Sequence, residues 1–314
     1  MLDPQAQRFL DDLKAAAAPP LSSVTPQVAR AMHASLVKRL AGPVVPVDDV
    51  RERELPGPAG PIPIRIYTPN AGARAPVFVY FHGGGFVLGN LAMADEVCRS
   101  IANESGCIVV SVDYRLAPEH PYPGPVNDAF AATQWIAEHA TEIGGDSKRI
   151  AVGGDSAGGN LATVVCLMAR DWGGPAIGLQ ILVYPAVDPS DDHASLRDYG
   201  TDHYLTLESM QWFGRNHVSR NVQRDDPYLW PILAPSLRGL PPALVITAEA
   251  DPIRDGGERY AQRLQNEGVP TQLIRYDGML HGFFLYPSVF DRGREAVREA
   301  AAALRVAFAP ETPL

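Results

Sequence analysis

A serine, a histidine and a short run of acids stand where they could cooperate in acyl transfer. The serine is Ser156, within Gly154-Asp155-Ser156-Ala157-Gly158. A β-type run, Arg149–Val152, precedes it, and a long apolar segment follows it. A serine at the tip of so tight a strand-to-helix turn sits on strained backbone, and small neighbours let strand and helix pass without clashes. The following helix points its N-terminus at the serine, where developing negative charge is favoured. A hydroxyl alone is a weak nucleophile, so a base must lie within hydrogen-bond reach.

Of eight histidines, His193, His203, His217 and His281 follow Ser156. The first three fall in an irregular polar stretch. His281 follows the last strand pattern, in Asp277-Gly278-Met279-Leu280-His281-Gly282-Phe283, a turn that would expose it at the edge of a sheet. An acid to orient it should follow the preceding strand, and Glu249, Asp251 and Asp255 all do. Asp255 reads as the cap of the next helix and Glu249 as structural, so Asp251 leads without excluding Glu249. The remaining requirement is a set of donors for an oxyanion. His82-Gly83-Gly84-Gly85 follows the strand pattern Pro76–Phe81, and glycines let backbone N–H groups point inward unobstructed. With the N–H of Ala157, those of Gly83 and Gly84 would supply three donors. A phosphate-binding reading of the glycines fails, because no Gly-Lys-Ser/Thr follows and no helix opens there. No Cys/His spacing suggests a metal.

These groups need a scaffold. Asp3-Pro4 and Thr25-Pro26 are helix starts, and Val28, Met32, Leu36 and Leu40 recur at helical spacing. Pro43–Leu55 and Pro61–Tyr67 form a hairpin about Gly57-Pro58-Ala59-Gly60. Strands at Pro76–Phe81, Cys107–Asp113, Arg149–Val152, Leu179–Tyr184, Ala243–Ala248 and Thr271–Tyr276 then alternate with helices at Asp95–Ser105, Val126–His139, after Ser156, Asp255–Glu267 and Glu295–Phe308. That rhythm predicts an α/β fold: about eight strands, mostly parallel, with helices on both faces and the antiparallel part at the start. Between Asp188 and Asp226 the rhythm stops, and one helix capped by Thr206 runs to about Val218. The expected organisation is a catalytic portion over 46–187 and 227–314, N-terminal cap helices over 1–45 and a cap insertion over 188–226. The cap segments should lie over the strand C-termini, where open α/β sheets bind ligands. Met32, Leu36, Trp212 and Phe213, with Phe86 from below, are the candidate lining of a substrate pocket.

The bulk properties allow a large core and fit one α/β domain with an elaboration as well as two small domains. The chain has 314 residues, 46% of them hydrophobic and 20% charged, and a net charge of -9. The negative balance argues against nucleic acid or an anionic membrane as partner. No apolar run approaches the ~18 residues of a membrane span. Cys98, Cys107 and Cys166 form no disulfide framework and read as buried thiols of a reducing compartment, and no secretory signal is visible, so the expected location is cytoplasmic.

His82-Gly83-Gly84-Gly85-Phe86, Asp113-Tyr114-Arg115-Leu116-Ala117-Pro118-Glu119, Gly154-Asp155-Ser156-Ala157-Gly158-Gly159, Asp251-Pro252-Ile253-Arg254-Asp255 and His281-Gly282-Phe283 occur in that order. Together, from about residue 60 onward, they resemble the hormone-sensitive lipase-like carboxylesterases (bacterial esterase family IV) of the α/β-hydrolase superfamily. The resemblance implies that Asp251 is the triad acid, that Gly83, Gly84 and Ala157 are the oxyanion donors, and that a helical cap covers the acyl pocket. It implies hydrolysis of small-molecule esters with short-to-medium acyl chains, without a cofactor. Asp113–Glu119 is assigned to bracing the oxyanion loop. The same triad would serve an amidase or deacetylase, and relatives lacking a triad member act as small-molecule receptors, but here all three members are present. A homodimer is the one protein partner that this reading admits.

Overall fold

The computed structural model describes residues 1–70 and 74–309, so positions 71–73 and 310–314 of the expected catalytic portion lie outside it. Its frame is one eight-stranded sheet in the order β1-β2-β4-β3-β5-β6-β7-β8. The strands are β1 (Asp49–Gly57), β2 (Gly60–Thr68), β3 (Ala75–Phe81), β4 (Ile108–Val112), β5 (Gly145–Asp155), β6 (Leu179–Val183), β7 (Ala243–Ala250) and β8 (Thr271–Leu280). Strand β2 runs antiparallel to both β1 and β4, and every other pairing is parallel. The interior strands β4 and β6 are buried at every position, as continuous apolar runs covered on both faces must be. Edge strand β1 instead exposes Arg51, Glu52, Arg53 and Glu54, charges that discourage pairing with another chain. It begins at Asp49, later than the proline-rich run from Pro43 suggested.

Period-two alternation divides the core. Val77, Val79 and Phe81 face one apolar cluster, while Phe78 and Tyr80 face the other. Helices α4 (Gly124–Glu138), α5 (Ala157–Trp172) and α8 (Arg254–Asn266) cover the first face. Helices α3 (Asp95–Ser105) and α9 (Asp291–Ala307) cover the second. Val297, Ala301 and Leu304 are buried along α9, with Phe308 partly buried beyond its end. Asp3 caps α1 (Pro4–Ala15), which packs Phe9 against Tyr204, Tyr286 and Phe290 beside the end of β8.

Helix α2 (Pro26–Leu40), capped by Thr25, keeps Met32, Leu36 and Leu40 of its predicted face half-buried but turns Val28 outward. Val28 is 47% exposed, and Ala29 is fully buried against Val87, Leu88, Ala117 and Trp212. The small Ala29 side chain lets the helix sit close to the glycine-rich loop, where a larger residue would hold it off. In the insertion, α7 (Leu207–His217) has the expected Thr206 cap as part of a reciprocal capping box with Ser209. A short helix, α6 (Ala194–Tyr199), precedes it and was not anticipated. Nor does Asp255 cap α8. Ile253 holds that position without a side-chain bond, and the Asp255 carboxylate instead accepts the Ser195 N–H at 2.8 Å.

Candidate active site

The sheet register brings the chemical groups together. Phe81 pairs with Gly154 across β3 and β5, so the glycine loop and the serine turn leave the sheet side by side. This is where strand order reverses, with β4 on one flank of β3 and β5 on the other, the crevice where α/β sheets bind ligands. Ala250 pairs with Leu280 across β7 and β8, so the next residues, Asp251 and His281, also emerge together.

Ser156 stands between β5 and α5 at φ 56°, ψ -115°. A non-glycine residue there carries strain of roughly 1–3 kcal/mol that its surroundings must offset. They do so through the backbone. The Ser156 N–H donates to the Val183 carbonyl at 2.9 Å, and the Ser156 carbonyl accepts N–H groups from Ala186 and Asn160, each at 3.1 Å. The Asn160 amide then holds the carbonyls of Ala186 and Leu229. Gly158 must lack a side chain, because a Cβ there would run into the Phe81 carbonyl.

His281 Nε2 lies 2.9 Å from Ser156 Oγ, and its Nδ1 lies 2.7 Å from Asp251 Oδ2. Asp251 is fully buried, and its other oxygen accepts the Ile253 N–H at 3.0 Å. Glu249, the acid that the residues alone left open, turns elsewhere and accepts the Gly278 N–H at 2.6 Å. His193, His203 and His217 lie in or beside the insertion, away from this relay. His217 is buried with neither ring nitrogen bonded among the described residues, and burial lowers it to about 3.

The glycine loop requires one correction. The Gly83 N–H donates to Asp155 Oδ1 at 2.9 Å and is not free to bind an oxyanion. Among the described residues the N–H groups of Gly84 and Gly85 have no acceptor. Ala157 opens α5, where an N–H has no intrahelical acceptor. The free donors are therefore those of Gly84, Gly85 and Ala157. Asp155, to which the sequence reading assigned no role, is what shifts the set by one residue. Its buried carboxylate also accepts the Tyr80 hydroxyl at 2.7 Å and so ties the loop to the serine turn. Burial raises Asp155 to about 6, against the stabilising bonds from Tyr80 and Gly83. Tyr114 braces the loop from the other side: its hydroxyl donates to the His82 carbonyl at 2.6 Å and its ring stacks on the imidazole at 4.4 Å.

Arg30, on α2, was also missed. Its guanidinium donates to the Val87 carbonyl at 2.8 Å and the Ala117 carbonyl at 2.7 Å, and pairs with Glu119 at 2.6 Å. One side chain thereby joins α2, the segment after the glycine loop and the Asp113–Glu119 block. Half-exposed Glu119 adds little by itself, so the two carbonyls carry the effect. Arg30→Met should lower Tm by several degrees and kcat several-fold, and Arg30→Lys should recover only part, because an ammonium cannot make the forked contact. Thermal melts with kcat measurements on both variants check this. An Arg30→Lys variant indistinguishable from wild type would mean that the fork is dispensable.

The five pocket candidates are placed unequally. Phe213 lies directly against Gly85, where a Cβ would collide with its ring. Phe86 is 7% exposed and stacks on His217 at 3.9 Å. Trp212 is 5% exposed within the Ala29, Val87, Leu88 and Ala117 cluster. Met32 and Leu36 are half-buried and belong to none of the apolar clusters.

An alternating sheet with a strained serine at its switch point defines an α/β hydrolase. The chain belongs to that family: the profile for the alpha/beta hydrolase fold matches residues 78–285. The hormone-sensitive lipase-like resemblance of its motifs stands with that membership. The chain is 44% identical over 260 residues to the carboxylic ester hydrolase LipN of Mycobacterium tuberculosis, covering 81% of this chain and 69% of LipN. It is 44% identical over 268 residues to the esterase LipI of the same organism, covering 84% of each. Among solved structures, an ester hydrolase from the metagenome of Lake Arreo superposes with a TM-score of 0.96 at 40% identity, over 99% of this chain and all of that one.

Proposed function

We infer that this chain is a serine carboxylesterase acting through an acyl-enzyme on Ser156. The observation that carries the reading is the unbroken relay from Ser156 through His281 to buried Asp251, at 2.9 and 2.7 Å, beside three unclaimed N–H groups. His281 takes the Ser156 proton as Oγ attacks the ester carbonyl, and Asp251 holds the ring in the required tautomer and stabilises the imidazolium. The N–H groups of Gly84, Gly85 and Ala157 receive the oxyanion of the tetrahedral intermediate. His281 then protonates the departing alcohol, and a water molecule, activated in the same way, releases the acid. Nothing in this sequence of steps calls on a metal or cofactor. A receptor without turnover would have no use for a complete relay. The experiment is reaction with an organophosphate followed by peptide mass spectrometry. Labelling at Ser156 with loss of ester turnover supports the assignment, and full inactivation without a Ser156 adduct overturns it.

The substrates we assign are esters of short-to-medium acids, because Phe213 closes over Gly85 and limits the space beside the donors. Each buried methylene gains up to about 0.8 kcal/mol until the space is full, after which crowding reverses the trend. Activity on p-nitrophenyl esters should therefore rise from acetyl, peak and then fall, and Phe213→Ala should move the peak toward longer chains. Trp212→Ala should instead cost about 3–5 kcal/mol of stability, as removal of a buried indole does. A chain-length series of kcat/KM on wild type and both variants, with thermal melts, separates these effects. An unmoved peak in Phe213→Ala would remove the ring from the pocket.

No helix among the described residues is long and apolar enough to cross a membrane. The cytoplasm is the compartment we assign, on the strength of three buried, free cysteines. A homodimer stays within the reading through the outer edge of β8, which exposes Leu273, and light scattering decides it.

A further inference from the structure

Val183, the last residue of β6, and the three residues that follow it bear on both Ser156 and His281. Their backbone holds Ser156 from two sides, through the Val183 carbonyl and the Ala186 N–H. The one large side chain between them, Tyr184, turns beneath the base: its ring centroid lies 4.5 Å from that of His281 with the planes tilted by 50°. Phe283 backs the Tyr184 ring at 5.9 Å.

Tyr184 occupies this place against two local preferences. Its φ of 33° is left-handed, which costs an aromatic residue free energy. Its hydroxyl is buried and has no partner among the described residues, although a phenylalanine would leave no polar group unpaired. Such violations persist where the surroundings over-determine a position with a purpose. The Tyr184 N–H bond to the Ile246 carbonyl, at 2.6 Å, is part of what fixes it.

We propose that Tyr184 is a positioning residue for the esterase reaction, its ring face holding the His281 imidazole in line and stabilising the imidazolium that forms when Ser156 is deprotonated. This rests on the reading of His281 as the base. An aromatic face within about 6 Å of a cation attracts it through the ring quadrupole, by an amount that grows when water is excluded. His281 is 8% exposed, so water screens the contact little. The other charged or titratable groups facing the imidazole are Asp251 on Nδ1, Ser156 on Nε2, and Asp155, whose carboxylate feels the His281 charge from beneath the serine turn. Tyr204, from the insertion, lies against Gly282, the next residue in the chain. None of these replaces the aromatic contact that Tyr184 makes with the imidazole.

The test is a pH profile of kcat/KM, with kcat and KM separated, for Tyr184→Phe, Tyr184→Leu and a series of progressively fluorinated phenylalanines at the same position. Tyr184→Phe keeps the ring and should stay within about 2-fold of wild type, with stability equal or higher. Tyr184→Leu should lose roughly 2- to 30-fold in kcat at unchanged KM. Because the ring favours the charged imidazole, its loss should also move the acid limb to lower pH. Fluorination draws electron density from the ring at nearly constant shape, so kcat and the limb should shift in step with fluorine count even if the leucine variant fails to fold. A purely structural role would lower Tm and leave the limb in place, which overturns the proposal. Tyr184→Phe as impaired as Tyr184→Leu overturns it too, by making the hydroxyl the agent. Failure of the underlying reading looks different: Ser156→Ala would keep ester turnover, or wild type would show no acid limb at all.

Discussion

Ser156→Ala folds like the wild type and loses on the order of 10⁴-fold or more in kcat toward p-nitrophenyl esters. Folding is preserved because alanine keeps the Cβ, so the strain at φ 56° is unchanged, and the bonds that fix the turn are all made by the Ser156 backbone. Only Oγ disappears, and with it the atom that forms the acyl-enzyme. The residual rate measures what the oxyanion donors and the binding surface achieve with water as nucleophile. KM should change little, because ground-state contacts do not pass through the hydroxyl. Stopped-flow or steady-state assays beside a thermal melt make the comparison. A variant that kept a large share of wild-type turnover with an unchanged Tm would end the acyl-enzyme reading.

Asp251→Asn carries the next largest effect, a fall of about 10⁴-fold in kcat. Asparagine fits the same buried space and can still accept the Ile253 N–H. Its amide presents either a donor or a weaker acceptor to His281 Nδ1. Where the donor faces the ring, Nδ1 must be the unprotonated nitrogen and Nε2 carries the hydrogen, so it can no longer accept the Ser156 proton. Neighbouring acids behave otherwise. Glu249→Gln retains an acceptor for the Gly278 N–H, and Asp255→Asn retains one for the Ser195 N–H, so both should affect stability more than turnover. Kinetics on the three variants under one set of conditions check the ranking. A dead Glu249→Gln beside a nearly normal Asp251→Asn would reverse the assignment.

The insertion acts on the acid as well as on the serine side. Ser195, at the start of α6, is fully buried and donates its hydroxyl to the Pro252 carbonyl at 3.0 Å, while Asp255 accepts its N–H. The loop that presents Asp251 is therefore held by the same segment that supplies α7, whose Phe213 lies against Gly85. Both the insertion and α2 thus bear on loops of the site, which is why Arg30→Met, through the Val87 and Ala117 carbonyls, is expected to register in kcat.

What the sequence determined by itself was the order of elements and of chemical groups, which local spacing expresses. The alternation of strands and helices, the order serine, acid, histidine, and the two glycine turns at strand ends all follow from short-range patterns, because propensity, capping and tight turns are decided within a few residues. Thr25, Thr206 and Asp3 could be read as helix caps for the same reason. Only the tertiary structure decided matters that depend on partners remote in the chain. Whether Gly83 or Gly85 keeps a free N–H turns on Asp155, 72 positions away, whose carboxylate claims the first. In the first turn of α2 the loop it packs against decided which residue is buried, taking Ala29 in place of the larger Val28. Arg30 and Tyr184 carry no local signal, since an arginine on a polar helix and a tyrosine after a strand are ordinary. They acquire meaning only when the sheet's register carries β3, β5 and β6 to one edge, and distant backbone carbonyls and an imidazole come within reach.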